Sequence, residues 1–232
     1  MGTRETLVVI PCLDEEEGLP LVLRDLPWER ESLRVVVVDN GSTDRSAEVA
    51  RAGGAEVVRE DERGYGAACL RGIAERNGER FVAFVDADYS DHPEQLVEIL
   101  RPLKDGRADL VIGSRMIQCE ARAALLPQAR YGNRLAGFLL RVLYGQRATD
   151  LGPFRAITSR ALDQIGMRDR NYGWTVEMQV RAARAKLRTV EVPVRYRSRK
   201  GVSKITGTIR GTLGASTKIL WTLFRLRLTR RH

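Results

Sequence analysis

Histidine is nearly absent from this 232-residue chain, which contains only His92 and the C-terminal His232. Such scarcity nearly excludes histidine-based acid–base catalysis and histidine-rich metal sites. Any chemistry must then use carboxylates, a metal ion and basic groups. Cysteine is also scarce, and Cys12, Cys69 and Cys119 form no CxxC pair. A disulfide framework or a zinc knuckle is therefore disfavoured, and a reducing cytosol fits best.

Long apolar runs are lacking as well. No stretch reaches the roughly 18–20 apolar residues that a membrane-spanning helix needs. The best candidates, 135–144 and 219–228, are short and interrupted by Arg. The N-terminal sequence MGTRETLVVIPCLDEE does not resemble a signal peptide, because its apolar run is short and acidic residues follow at once. We therefore expect a cytoplasmic protein.

Acidic residues are missing from the C-terminal end. The chain has 39 Lys or Arg, 30 Asp or Glu and a formal net charge of +9. Residues 195–232 contain eleven Lys or Arg and no Asp or Glu, which leaves 28 basic and 30 acidic residues elsewhere. The basic tail indicates an anionic partner, which could be phosphates, a nucleic acid or an anionic membrane surface.

Short β-branched runs alternate with helical patterns in the first half of the chain. The runs predict strands at 6–11, 33–38, 55–58, 81–85 and 109–113, with helices between them, the first of which is predicted at 15–26. This alternation predicts an α/β fold with a doubly wound, mostly parallel sheet and helices on both faces. The second half is less regular. Its pattern predicts helices at 128–144 and 171–186, a loop that leads into a short strand at 150–158, an edge strand at 189–197 and a C-terminal helical extension.

Clustered carboxylates follow the predicted strand at 81–85. Asp86 and Asp88 come directly after it, and Asp91 lies just beyond. Ligands bind at the carboxyl ends of parallel strands, and a hard divalent cation takes oxygen ligands that it shares with substrate phosphates. The alternative is a solvated acidic turn that caps the next helix. The position at a strand end favours the functional interpretation.

Other predicted strands also end in polar or small residues. Asp39 could accept hydrogen bonds from a nucleobase or ribose, or belong to a simple turn. Gly66 lies in a small-residue patch that permits close backbone approach, which close packing would also explain. Arg115 could bind a phosphate in bidentate fashion or be a solvated surface residue. The basic loop RSRKGVSK could be a solvated face, or a lid that neutralises phosphates with Arg199 and Lys204.

Eight motifs, in this order, carry a family resemblance: VVIPCLDEEEGL, VVVVDNGSTDRS, GYGAACLRGI, FVDADYSDHPEQL, VIGSR, TDLGPFRAI, YGWTVEMQV and VPVRYRSRKGVSKI. They span residues 8–205 and resemble family 2 glycosyltransferases with a GT-A fold. Within that family, they are similar to the dolichyl- or polyprenyl-phosphate mannose (sugar) synthase group. The resemblance implies a GT-A catalytic domain at 1–203, followed by a basic amphipathic helical segment at 204–232.

The resemblance also implies roles for individual residues. It assigns the sugar nucleotide to Pro11, Leu13, Glu15, Asp39, Gly66, Asp86, Ala87 and Asp88. It places Mg²⁺ or Mn²⁺ on Asp86 and Asp88, the acceptor phosphate on Arg115, and other phosphates on Arg199 and Lys204. A Gln that helps to hold the metal in the look-alikes is replaced by Ser90, so Asp91 becomes the candidate third metal ligand.

The implied reaction is inverting transfer of a sugar from a GDP- or UDP-sugar to an acceptor. With a polyprenyl or dolichyl phosphate the nucleophile is already anionic, so Asp88 and Arg115 would suffice as catalytic residues. With a hydroxyl acceptor a carboxylate must take the proton, and Asp150 and Glu177 are the candidates. A sugar-phosphate nucleotidyltransferase is a weaker alternative, because the acidic LDEEEG follows the first strand where a basic Gly-rich loop would be expected.

The C-terminal segment has two interpretations. Its mixed apolar and basic residues are typical of an interfacial helix attracted to anionic lipid, which would place the protein peripherally at the cytoplasmic face of the membrane. The alternative is a helix packed on the catalytic domain. Nucleic acid is not an expected partner, because the rim is rich in carboxylates. The oligomeric state is left open.

Overall fold

The computed structural model describes residues 4–200 and 209–228. Within these residues the strands are β1 (Thr6–Cys12), β2 (Leu33–Asp39), β3 (Glu56–Arg59), β4 (Phe81–Phe84), β5 (Leu110–Ser114), β6 (Arg155–Thr158) and β7 (Thr189–Pro193). The helices are α1 (Leu19–Asp25), α2 (Ser46–Ala52), α3 (Tyr65–Ala74), α4 (Leu96–Lys104), α5 (Cys119–Ala124), α6 (Pro127–Tyr144), α7 (Ser159–Ile165), α8 (Trp174–Arg184) and α9 (Ile209–Leu228), and a 3₁₀ turn (Pro93–Gln95) precedes α4.

The strands form one sheet in the order β3-β2-β1-β4-β6-β5-β7. All neighbouring strands are parallel except where β6 pairs antiparallel with β4 and β5. Alternate residues of β1 enter different cores: Val8 and Ile10 pack with α1 and α4, whereas Leu7 and Val9 pack with α3, α7 and α8. Both faces of the sheet are therefore covered, which explains the almost continuous β-branched runs. The predicted doubly wound, mostly parallel fold is confirmed.

Four details differ from the sequence-based expectation. The short strand after residue 150 inserts antiparallel between β4 and β5, and the pattern did not predict α5 or α7. The edge strand β7 ends at Pro193, four residues before the predicted end. Helix α1 begins at Leu19 rather than at residue 15, because other contacts hold residues 14–16.

The C-terminal helix α9 packs against α6 and α8. Leu223 and Leu226 are buried there, in a third apolar cluster with Leu140 of α6 and Val180 of α8. No helix in the described parts of the chain is long and apolar enough to cross a membrane. One side of α9 thus packs on the domain, as one of the two interpretations expected. The division of the chain at residue 203 stays a prediction.

Candidate active site

Loops at the carboxyl ends of β1, β2 and β4 enclose a cavity of about 310 Å³. This is the rim where an open α/β sheet binds its ligands. The structure brings seven predicted site residues to the cavity wall: Pro11, Leu13, Glu15, Asp86, Ala87, Asp88 and Arg199. Asp39, Gly66, Asp91, Arg115, Asp150 and Glu177 do not line this cavity. Lys204 lies outside the described residues.

Side chains from the β2–α2 loop and from the start of α2 hold the turn after β1. Ser42 Oγ accepts a hydrogen bond from the Asp14 amide at 3.0 Å, and Ser46 Oγ accepts one from the Glu15 amide at 2.8 Å. Asp39 Oδ1 in turn accepts from the Ser42 amide at 2.7 Å. These bonds keep the backbone out of the helix and hold Glu15 at the cavity. Asp39 is buried and supports the wall from behind.

The two carboxylates after β4 differ in their surroundings. Tyr65 donates its hydroxyl to Asp86 Oδ1 at 2.9 Å, and Asp88 Oδ1 accepts from the Ser90 amide at 2.9 Å. Burial, reinforced by the Asp88 carboxylate, raises the pKa of Asp86 to about 7. Burial also raises the pKa of Glu15 to about 7, although Arg199 opposes this shift. Clustered carboxylates with raised pKa values would bind a cation favourably.

Arg199 lies inside this carboxylate cluster. Its Nη2 donates to Glu15 Oε1, and its Nη1 lies 3.4 Å from Asp88 Oδ2. The Lys200 amide donates to the Asp88 carbonyl at 2.9 Å, which ties the chain after β7 to the turn after β4. The beginning of the predicted basic lid therefore reaches the cavity.

The fit of a divalent cation depends on Asp86 and Asp88. Asp91 is buried away from the cavity, and neither of its carboxylate oxygens has a hydrogen-bond partner among the described residues. Among the described residues, no group of three or more His, Cys, Asp or Glu side chains is placed so that it could hold a metal ion by itself. Asp86 and Asp88 still supply hard oxygen ligands, and Asp88 already faces a cationic group in Arg199. The donor set fits a Mg²⁺ or Mn²⁺ ion that takes its other ligands from substrate phosphates.

Arg115, which follows β5, forms a bidentate ion pair with Asp150. Its Nε and Nη2 donate to the two Asp150 oxygens, each at 2.8 Å, and its guanidinium lies 5.0 Å from the Tyr196 ring centroid. Asp150 also accepts from the Arg115 amide and from Asn133 Nδ2, both at 2.8 Å. Burial alone would raise the pKa of Asp150, but Arg115 outweighs it, so the pKa lies below its usual range. A saturated carboxylate with a lowered pKa is a poor general base, and its geometry instead suits holding Arg115 in place.

Glu177 lies within α8 and is fully buried. Its carboxylate pairs with Arg181 at 2.7 Å and accepts the Arg168 and Asp169 amides at 3.0 and 2.6 Å. These contacts stabilise the loop before α8. We therefore leave Glu177 and Asp150 out of the proposed proton-transfer groups.

A family model described as glycosyl transferase family 2 matches residues 7–166, from β1 through α7. This chain belongs to glycosyl transferase family 2. The matched span contains Asp86, Asp88 and Arg115, and it confirms the resemblance found in the ordered motifs. Curated relatives and solved structures are similar to this family 2 member over more of the chain than that span.

Two curated relatives cover most of this family 2 glycosyltransferase. An uncharacterised glycosyltransferase of Mycobacterium tuberculosis is 39% identical over 89% of this chain and 92% of its own. An undecaprenyl-phosphate mannosyltransferase of Micrococcus luteus is 35% identical over 88% of this chain and 89% of its own. Among solved structures, glucosyl-3-phosphoglycerate synthase from Mycobacterium tuberculosis with Mn²⁺, UDP and phosphoglyceric acid has a TM-score of 0.78 at 22% identity, over 98% of this chain and 80% of that chain. That likeness supports the GT-A fold.

Eight described cavity residues of this family 2 transferase were not among the predicted site residues: Cys12, Asn40, Arg63, Gly64, Tyr65, Ala68, Asn171 and Tyr172. Cys12 and Asn40 end or follow strands, so the rule that located Asp39 could have found them. Asn40 donates to the carbonyls of Glu60 and Glu62 at 2.9 and 2.8 Å, which holds the segment that carries Arg63. Tyr172 begins the motif YGWTVEMQV, but neither Tyr172 nor Asn171 follows a predicted strand, and their loop reaches the cavity from the second half of the chain.

The loop that carries Asn171 and Tyr172 packs against the start of α3. The Ala67 amide donates to the Arg170 carbonyl at 2.9 Å. A Cβ at Gly66 would lie 2.0 Å from the Asp169 carbonyl oxygen. Gly66 is thus required for close packing, which was the alternative interpretation, and the packing places Asn171 and Tyr172 at the cavity.

Replacing Gly66 with Ala should destabilise the protein by about 1–3 kcal/mol and weaken nucleotide binding, because the added methyl group must displace the backbone at Asp169. Gly132 of α6 is the matched control, since its Cβ would meet open space. Gly132→Ala should stabilise the protein by about 0.5–1 kcal/mol. Urea unfolding would measure both effects. Equal stability of the two variants would contradict the packing role of Gly66.

Proposed function

We propose that this protein transfers a sugar, with inversion, from a GDP- or UDP-sugar to a polyprenyl-type lipid phosphate at the cytoplasmic face of the membrane. The observation that carries the proposal is the cavity in which Asp86, Asp88 and Arg199 meet at the sheet rim. The Micrococcus luteus relative, named an undecaprenyl-phosphate mannosyltransferase, supports the acceptor class. The solved neighbour, crystallised with Mn²⁺ and UDP, supports a nucleotide and a divalent cation.

The donor diphosphate would lie between carboxylates and Arg199. Asp86 and Asp88 would hold Mg²⁺ or Mn²⁺, which would neutralise charge on the departing diphosphate. Arg199 would exchange its contacts with Glu15 and Asp88 for phosphate oxygens. The cavity wall at Pro11, Leu13 and Tyr172 would enclose the nucleoside and exclude water.

The acceptor phosphate would bind Arg115. The contacts to Asp150 use Nε and Nη2, so Nη1 is the nitrogen that would face the phosphate. Asp150 would fix the direction of the guanidinium, as a bidentate pair does. A phosphate monoester is already anionic at neutral pH and needs no base, which agrees with the structural contacts that occupy Asp150 and Glu177.

A binding and transfer panel tests this proposal. Thermal shift with UDP and GDP, with and without Mn²⁺, should identify one nucleotide that stabilises the protein through the metal. The matching sugar nucleotides are then offered with a short polyprenyl phosphate, the corresponding polyprenol and 3-phosphoglycerate. Transfer to the lipid phosphate alone is expected. Transfer to the polyprenol or to 3-phosphoglycerate, with none to the lipid phosphate, would contradict the proposed acceptor.

A further inference from the structure

Helix α6 exposes a continuous apolar face. Tyr131, Leu135, Phe138 and Val142 are 70%, 50%, 62% and 62% exposed. Their spacing of four, three and four residues places them on one side of the helix. The buried residues of α6, among them Leu140, lie on the opposite side. Single exposed apolar residues are common, but a contiguous row indicates an interaction surface.

The helix that packs on α6 has a similar outer side. Trp221 and Phe224 of α9 are 60% and 48% exposed, whereas Leu223 and Leu226 are buried against the domain. Trp and Phe are favoured where an apolar surface meets the headgroups of a bilayer. We call Tyr131, Leu135, Phe138, Val142, Trp221 and Phe224 the outer apolar face.

The sequence around this face is basic throughout. Residues 121–149 contain five Arg and no Asp or Glu. Arg134 and Arg141 are exposed and directly precede Leu135 and Val142 along α6, so they lie on one flank of the apolar row. Within the described residues, no carboxylate forms a salt bridge with either of them. The face therefore combines large apolar side chains with unneutralised positive charge.

We propose that the outer apolar face docks on the surface of an anionic phospholipid bilayer. Apolar side chains would enter the boundary between headgroups and acyl chains, and Arg134 and Arg141 would bind lipid phosphates. A second copy of the chain fits less well, because a two-fold contact would bring two arginine rows together without carboxylates between them. An anionic bilayer offers acyl chains to the apolar side chains and phosphates to the arginines.

The inner side of α6 connects this surface to the candidate active site. Asn133 donates to Asp150 Oδ1 at 2.8 Å, and Asp150 holds Arg115. A docked α6 would therefore place Arg115 about one helix diameter, roughly 10 Å, from the lipid surface. The value of this placement rests on the proposed function, in which Arg115 binds a lipid phosphate. Docking itself does not depend on it.

Vesicle flotation of the full chain tests the docking. The wild type should bind vesicles of equimolar phosphatidylcholine and phosphatidylglycerol, and phosphatidylcholine vesicles much less. Leu135→Ser with Phe138→Ser should lower the partition coefficient by about tenfold or more, since burying one large apolar side chain is itself worth about tenfold. Arg134→Gln with Arg141→Gln should also weaken binding, whereas the matched exposed pair Arg59→Gln with Arg107→Gln should not.

A second readout locates the contact. In a Trp28→Phe background, Trp221 is the exposed tryptophan, because Trp174 is buried. Brominated lipids should quench its fluorescence. Wild-type binding by the serine variant, or a wild-type dimer that this variant converts to a monomer, would overturn the proposal. These measurements use no donor or acceptor, so docking and transfer can fail independently.

Discussion

Replacing Asp88 with Asn should lower sugar transfer by about 10³-fold or more, because the substitution removes a charged oxygen ligand and leaves the diphosphate without its counter-charge. Asp88 lies at the cavity wall, with its Oδ2 3.4 Å from Arg199 Nη1. The Mn²⁺-dependent part of nucleotide binding should disappear with activity. Steady-state kinetics and a calorimetric titration of the nucleotide, with and without Mn²⁺, would measure the two losses.

The matched control for Asp88→Asn is Asp61→Asn. Asp61 is largely exposed, pairs with the nearby Arg59 at 2.7 Å and lies outside the cavity. Its replacement should change neither activity nor metal dependence. If Asp88→Asn kept full transfer, or lost transfer while Mn²⁺ still strengthened nucleotide binding, Asp88 would not be the metal-holding residue.

Disrupting the pair of Arg115 and Asp150 should lower transfer by about 10²-fold without weakening donor binding. Arg115→Lys keeps the charge but loses the two parallel bonds to Asp150. Asp150→Asn keeps the shape but weakens the hold on Arg115. Small misplacement of a binding group costs about this much in rate. Because both changes release the same guanidinium position, the double variant should lose little more than either single variant.

The chain provides a matched bidentate pair at the other end of the same strand. Asp109 immediately precedes β5 and binds Arg188 at 2.7 and 3.0 Å, in an exposed position. Arg188→Lys and Asp109→Asn should leave kcat and the acceptor KM unchanged. The proposed role would be contradicted if the losses of transfer rate in Arg115→Lys and Asp150→Asn were additive. It would also be contradicted if variants of the Arg188–Asp109 pair lost as much rate, because the Arg115–Asp150 pair would then act through general stability. Melting temperatures of all variants separate these cases.

Local sequence patterns predicted most of the strands and helices in the first half of the chain. Nearly unbroken β-branched runs such as 33–38 form buried parallel strands because both faces of the sheet are covered by helices. The position of polar residues at a strand end was enough to predict that Asp86 and Asp88 lie at the ligand-binding rim. These predictions depended on residues near each other in the chain and on a general property of parallel sheets.

Predictions that depended on distant contacts were weaker. Nothing in the sequence near Asp150 indicates a partner for its carboxylate, but the structure pairs it with Arg115, which lies 35 residues earlier in the chain. Glu177 is a base candidate by residue type, but α8 turns it into the interior to hold an adjacent loop. The sequence pattern did not predict the exposed apolar row on α6, because helical periodicity alone does not tell whether an apolar side packs inward or outward.

By itself, the sequence determined the α/β alternation, the carboxylates after β4 and the family. These follow from short-range periodicity and from motifs whose residues are neighbours in the chain. Only the tertiary structure decided that β6 inserts antiparallel, that Gly66 makes room for the loop carrying Asn171 and Tyr172, and that Arg199 reaches Glu15, 184 residues away. The reason is physical: long-range contacts depend on how whole elements pack, and no local pattern of charge or hydropathy encodes that packing.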